Sequence, residues 1–346
     1  MERSFEIKDF QSPNFLHNKH SQTIFSSFFP PKNHLKTEYL FEDIYLDLYD
    51  KTDDIICLHH NPPLSTYKKA PISFNGYYLI LIHGMEGSAD SHYMVTLGES
   101  ALKSGYGIIR MNQRGCGQGE GLSSGIYNAG NSPDIDRVVK YVFDNISKNI
   151  ILCGFSLSGN SILKYLGEKS RYHVKYFSSV SPPMDLKNAC DHIDSIKGKF
   201  YKDFFLYSFK DKLKRNIIKV SQQRKEEALT AESMFDFDDY LTAPLFGYKS
   251  AIEYYSICSA LNYIYDIKQE GIVIHAIDDP LIPPTAFKSI DWERISNILP
   301  ILTKGGGHVG FLTKKTHDIP DGRWLNHVLL HFFASRIGIY KKIKEQ

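Results

Sequence analysis

Apolar residues along the chain fall into two patterns that take turns. Tyr78 to Ile82 is an unbroken apolar run, as a strand covered on both faces requires. Gly107 to Met111, Asn149 to Cys153, Val174 to Val180, Gly271 to Ile277 and Ile298 to Thr303 repeat it, each closing on a turn rich in Gly, Pro or Asp. Longer stretches with helical spacing stand between them. Tyr39 to Tyr49 and Ile55 to His59 read as an antiparallel edge pair ahead of these strands. The sum predicts an α/β chain with a mostly parallel central sheet of about eight strands and helices on both faces. Near the end, Trp324, Leu325, Val328, Leu329, Phe332 and Phe333 share one helical face, and Lys341, Lys342 and Lys344 suit the helix dipole behind them. That segment is a docking helix.

Between Asp185 and Gly247 the alternation stops, and aromatic, strongly charged sequence of helical character takes over. Neither an internal repeat nor a low-complexity linker delimits it. The expected organisation is therefore one domain over residues 1–346, with residues 185–247 as a helical cap inserted within it; a length of 346 residues fits one large α/β unit.

The strand Asn149 to Cys153 runs into Gly154-Phe155-Ser156-Leu157-Ser158-Gly159-Asn160, with Ile162, Leu163 and Leu166 following at helical spacing. A serine at the apex of a tight strand-to-helix turn is the layout of a nucleophile elbow, because small neighbours let the turn lift the hydroxyl clear of the sheet. The helix N-terminus then lies under any developing negative charge. Ser158 stands where a second glycine is expected, so the motif is one hydroxymethyl group larger than usual. After the Tyr78 to Ile82 strand comes His83-Gly84-Met85-Glu86-Gly87, a turn able to aim the Met85 N–H above the sheet; with the Leu157 N–H it supplies two oxyanion donors. The His83 side chain reads as structural. Downstream, Asp278-Asp279-Pro280 and Gly305-Gly306-Gly307-His308-Val309-Gly310 each follow a late strand, where catalytic groups gather in open α/β sheets. The order is Ser156, Asp279, His308, nucleophile, acid and base in turn. Asp279 is preferred over Asp278 because Pro280 holds it extended and so fixes where its carboxylate goes.

These motifs, with Asn112-Gln113-Arg114-Gly115-Cys116-Gly117, Thr242-Ala243-Pro244-Leu245-Phe246-Gly247 and Phe15-Leu16-His17-Asn18-Lys19-His20-Ser21-Gln22-Thr23-Ile24, resemble the YheT-like branch of the α/β-hydrolase superfamily across nearly the whole chain. The resemblance implies an α/β-hydrolase fold and a Ser-Asp-His esterase or lipase-like enzyme without cofactor. It points to the same three residues. Tyr49-Asp50-Lys51 and Ser158 depart from that branch's pattern.

Composition narrows the alternatives. With 41 Lys plus Arg against 39 Asp plus Glu the chain offers no field for a phosphate backbone, and nucleic acid is not an expected partner. Five dispersed cysteines without a CxxC pair read as reduced core thiols, not as disulfides or a metal site. The opening residues carry no apolar segment of the signal-peptide kind, and no apolar run nears the ~18 residues of a membrane span, so a cytoplasmic location is expected. Gly115, Gly117, Gly119 and Gly121 lack dinucleotide-loop spacing, and His59-His60 lack metal-ligand spacing. Arg114 reads as an anchor for its loop. From Lys197 to Lys225 ten basic residues meet two acidic ones, interleaved with aromatics. This reads as a cap helix with its aromatics on the core; contact with a membrane surface is the less favoured reading, since Glu226 to Asp239 brings six acidic residues alongside. Phe200, Phe204, Phe205 and Phe209 are expected to line the entrance, and Phe204 and Phe205 to touch substrate. The expected activity is hydrolysis of a small-molecule carboxylic ester, short-chain or lipid-like, through an acyl-enzyme. Acyl transfer or thioester cleavage with the same residues is the alternative, as is a silent binding protein.

Overall fold

The computed structural model describes residues 7–50, 52–66, 72–169 and 171–338. Eight strands form one sheet: β1 (Glu42–Asp47), β2 (Ile55–Asn61), β3 (Tyr78–Ile82), β4 (Gly107–Met111), β5 (Ile150–Phe155), β6 (Val174–Val180), β7 (Glu270–Ala276) and β8 (Ile298–Thr303). Their order is β1-β2-β4-β3-β5-β6-β7-β8. β1 pairs antiparallel with β2, and β2 antiparallel with β4; every other pairing is parallel. The sheet is thus the expected one. The first strand is shorter than the Tyr39 to Tyr49 run, because beyond Asp47 the chain turns: the Asp47 carboxylate accepts the Tyr49 N–H at 2.7 Å and Tyr49 sits at φ 53°.

Burial on both faces explains the unbroken apolar strands. In β3, Tyr78, Ile80 and Ile82 enter one core with Ile135, Val138 and Val142 of the helix Ser132–Asn145. Leu79 and Leu81 enter a second core with Leu97 and Leu102 of the helix His92–Lys103 and with Val328 and Phe332 of the helix Trp324–Ile337. Each such side chain contributes roughly 1.5–3 kcal/mol by leaving water. The last helix ends at Gly338 in the left-handed conformation, φ 80°; Lys341, Lys342 and Lys344 lie outside the described residues.

Between β6 and β7 the chain runs through a series of helices, among them Leu186–Asp194, Lys199–Lys214, Gln222–Thr230 and Ala251–Cys258, so helical structure continues past Gly247. Asp185, Ser221 and Ser250 cap three of them by accepting N–H groups of the first turn. The layer has a core of its own, with Leu186, Ile193, Phe205, Phe209, Phe237 and Leu241, and Met85 and Leu157 of the sheet domain pack against it. The expectation that its aromatics all face inward fails. Tyr201, Phe205 and Phe209 are buried, whereas Phe200, Phe204 and Tyr207 are 65%, 57% and 74% exposed. Helical periodicity places 200, 204 and 207 on one stripe, and the adjacent stripe is the one that meets the core.

Arg114 ties the loop after β4 to the edge of the sheet. Its guanidinium donates to Asp134 at 2.7 and 2.6 Å, to Asp54 at 2.7 Å and to Asp50 at 2.5 Å. Replacing it by methionine leaves the buried Asp54 and Asp134 carboxylates without their cation, a loss of about 3–5 kcal/mol that urea denaturation reads directly. Arg114→Lys, which keeps the charge but not the forked geometry, should fall between the two.

Candidate active site

The order of the strands reverses between β3 and β5, so the loops leaving them diverge and open a crevice at their C-terminal ends. Ser156 sits there, one residue beyond β5 and one before the helix Leu157–Glu168. Its backbone lies at φ 53°, ψ −123°, a conformation that costs a non-glycine residue on the order of 1–3 kcal/mol. Its N–H donates to the Val180 carbonyl at 2.8 Å. A side chain at Gly154 would come within 2.4 Å of the Ser158 carbonyl oxygen, so that glycine lets the strand and helix close on each other. Ser158 meets no such conflict. It is fully buried, and its hydroxyl donates to the His83 carbonyl at 2.5 Å, which joins the elbow to the end of β3.

Asp279 and His308 arrive on the loops after β7 and β8. The Ser156 hydroxyl lies 2.7 Å from His308 Nε2, and His308 Nδ1 lies 2.8 Å from Asp279 Oδ2. The other Asp279 oxygen accepts the Leu281 and Ile282 N–H groups at 2.8 and 3.0 Å. Asp278 points elsewhere and accepts the Gly307 N–H at 2.9 Å; burial raises its carboxyl above the ordinary range. Both carboxylates are thereby assigned distinct partners.

Met85 and Leu157 line a cavity of about 60 Å³ together with Ser156. Leu157 opens its helix, where N–H groups have no intrahelical acceptor. Asp238 also lines this cavity; burial pushes its carboxyl up to about 6. A larger cavity of about 400 Å³ also meets Ser156, bounded by Ile24, Phe28, Phe200, Phe204, Phe205 and His308 among others. Phe204 and Phe205 therefore lie where a substrate could touch them. Phe209 does not: it is buried against Phe237, with ring centroids 4.9 Å apart.

His83 has the structural place expected of it. Its Nδ1–H donates to the Gly84 carbonyl at 2.7 Å, its Nε2 accepts the Gln113 N–H at 3.1 Å, and burial holds its pKa down to about 4. Among the described residues one group, Asp43, Cys57 and His59, brings metal-type ligand atoms within 4.8 Å of one another. Arg110, cross-strand from His59, donates from its guanidinium to Asp90 at 3.3 Å. All five cysteines are free and buried.

One contributor had no signal in the residues read singly. Thr23, in the helix Lys19–Phe28, accepts the His308 N–H on its hydroxyl at 2.9 Å. A side chain at Gly307, which has φ +60°, would meet the Lys19 carbonyl at 2.6 Å, so the histidine loop is seated on this helix through a glycine. Five of the eight described non-glycine residues at positive φ, namely Glu86, Ser156, Ser181, Val309 and Phe311, stand in or beside these loops, and the strain is concentrated at the site.

Residues 77–315 match the family model described as alpha/beta hydrolase fold. The chain belongs to that family. An abhydrolase domain-containing protein of Dictyostelium discoideum is 26% identical over 324 residues, covering 89% of this chain and 77% of that one. A monoacylglycerol lipase of Saccharomyces cerevisiae is 29% identical over 280 residues, 73% of this chain and 58% of the lipase, and YheT of Escherichia coli is 28% identical over 257 residues, 68% and 70%. Among solved structures, an esterase of Pyrococcus furiosus superposes with a TM-score of 0.55 at 18% identity, over 88% of this chain and 96% of that one.

The hydrolase elbow makes contrasting demands on its two small residues. Gly154→Ala should prevent the strand–helix closure and abolish recovery of folded protein, whereas Ser158→Ala, which removes one hydrogen bond and no close contact, should cost about 1 kcal/mol. Thermal melts of the two purified variants test this pair.

Proposed function

We propose that this hydrolase cleaves carboxylic esters, lipid-like acyl esters among them, through an acyl-enzyme formed on Ser156. The observation that carries the reading is the unbroken chain of hydrogen bonds from Ser156 Oγ to His308 to Asp279, at 2.7 and 2.8 Å. The monoacylglycerol lipase of yeast named above supports the substrate class.

In this reading His308 Nε2 takes the hydroxyl proton as Ser156 Oγ attacks the ester carbonyl. The carbonyl electron pair moves onto oxygen, where the Met85 and Leu157 N–H groups meet it. The carbonyl then re-forms, the C–O bond to the alcohol breaks, and His308 gives its proton to the leaving alkoxide. A water molecule, deprotonated by the same imidazole, attacks the acyl-enzyme carbonyl; as the carbonyl re-forms, the bond to Ser156 Oγ breaks, His308 returns the proton to Oγ, and the acid leaves. Asp279 keeps the proton-bearing tautomer of His308 and balances the imidazolium that forms. Two backbone N–H groups hold the Asp279 carboxylate from its far oxygen, so it stays aimed at the ring. No cofactor or metal enters these steps.

The helices over the site, with residues 185–247 at their centre, act as a cap on a single hydrolase domain, and Phe204 and Phe205 meet the long arm of the substrate. Among the described residues no helix is long and apolar enough to cross a membrane. Free, buried thiols suit a reducing compartment, and we assign the protein to the cytoplasm.

Ser156→Ala should abolish labelling by a fluorophosphonate and almost all turnover of p-nitrophenyl esters; labelling at the wild-type level would mean that the nucleophile lies elsewhere. Asp279→Asn should lower turnover by roughly 10⁴-fold with the fold intact, and Asp278→Asn should act first on stability. Phe204→Ala, at an exposed position, should lower kcat/KM for long-chain esters more than for acetate or butyrate.

A further inference from the structure

Glu86 follows Met85 directly and is a non-glycine residue at φ 54°. The turn is closed by the Gly87 N–H donating to the Gly84 carbonyl at 3.1 Å, so the peptide that carries the Met85 N–H is framed on both sides by this tight bend. What keeps Glu86 in so unfavourable a conformation is its side chain. The side chain is buried, with 4% of its surface exposed, and its carboxylate takes three donors: Lys212 Nζ at 2.8 Å, the Tyr127 hydroxyl at 2.9 Å and the Ser208 hydroxyl. The Tyr127 oxygen also accepts the Glu86 N–H at 2.6 Å. Main chain and side chain of the one residue are gripped together.

Two of those donors, Ser208 and Lys212, belong to the helix Lys199–Lys214. Its first half bears Phe200, Tyr201, Phe204 and Phe205, which border the larger cavity. A single helix therefore borders the substrate space with one half and holds the turn beside Ser156 with the other. Glu86 and Lys212 border neither cavity, so a role in touching substrate is not theirs.

We propose that the Glu86–Lys212 pair is a positioning device that sets the Met85 N–H for the oxyanion, so that the hole is complete only while the helix Lys199–Lys214 is seated. This rests on the ester-hydrolase reading above. A buried carboxylate with an ammonium beside it is sensitive to removal of either partner alone, since the other is left as an unpaired buried charge. The informative variant is accordingly the double one, Glu86→Gln with Lys212→Met, which removes both charges and keeps the shapes.

The test measures turnover of p-nitrophenyl butyrate per active site, with sites counted by complete fluorophosphonate labelling, alongside the affinity of an alkyl trifluoromethyl ketone whose adduct carries the oxyanion. The double variant should lose about 10- to 100-fold in kcat per site and a comparable factor in ketone affinity, with KM within about threefold of wild type. Lys212→Arg, which preserves a cation opposite Glu86, should recover most of the kcat. A double variant that merely yields fewer labelled sites, each turning over at the wild-type rate, overturns the proposal and leaves the pair a structural brace. A rise in KM with unchanged kcat overturns it equally. Wild-type protein that neither labels nor hydrolyses the ester would instead overturn the ester-hydrolase reading itself.

Discussion

A serine held at φ 53° between a strand and a helix is the constraint on which the other features turn. The conformation is unfavourable by itself, so its surroundings must impose it. β5 is hydrogen-bonded on both sides, by β3 and β6, and cannot shift to relieve the bend. The Ser156 N–H is committed to Val180, and the helix can approach the strand only because Gly154 has no side chain. The Ser158 hydroxyl then fastens the helix to the end of β3. A residue that looked like a blemish in the motif is a hydrogen-bond donor to the neighbouring loop.

His308 and Asp279, by contrast, stand on loops, and loops need partners to be rigid. The histidine loop borrows its rigidity from the far end of the chain. Gln22, buried in the first helix, donates to the Leu312 carbonyl and accepts the Leu312 N–H, both at 2.9 Å, while Thr23 takes the His308 N–H. Asp279 is held by its own loop, through the N–H groups of Leu281 and Ile282. The turn at Glu86 is held by a third segment, the helix Lys199–Lys214. Ser156, His308, Asp279 and the turn at Glu86 thus rest on separate supports, and only the elbow, Leu157 included, is built wholly from the sheet and the helix that follows it.

This division explains what could be read from sequence. Strands buried on both faces leave unbroken apolar runs, so six parallel strands and the elbow were legible within two residues of their observed ends. Asp279 was preferred over Asp278 for a local reason, the proline after it, and it is the Asp279 carboxylate that lies 2.8 Å from His308 Nδ1. Contacts between residues far apart in sequence leave no such local mark. Nothing around Thr23 announces a histidine 285 positions later, and Glu86 and Lys212 are separated by 126. The inward and outward stripes of the helix Lys199–Lys214 were illegible for another reason: aromatics occupy both, and periodicity separates faces only when polarity differs between them.

That double aromatic face has a physical consequence for how the site can change. Phe205 belongs to the core that also receives Met85 and Leu157, so altering it disturbs the packing behind the turn at Met85 as well as the cavity wall. Phe204, its neighbour in sequence, borders the same cavity from the solvent side and packs on Phe205 with ring centroids 5.5 Å apart. The outer stripe can therefore be replaced at little cost to the fold, whereas the inner stripe and Lys212 beyond it are coupled to Ser156 through the turn at Glu86. Phe204 and Phe205 border one cavity from different stripes of one helix, and the helical period, three to four residues per turn, decides which of them also carries the core.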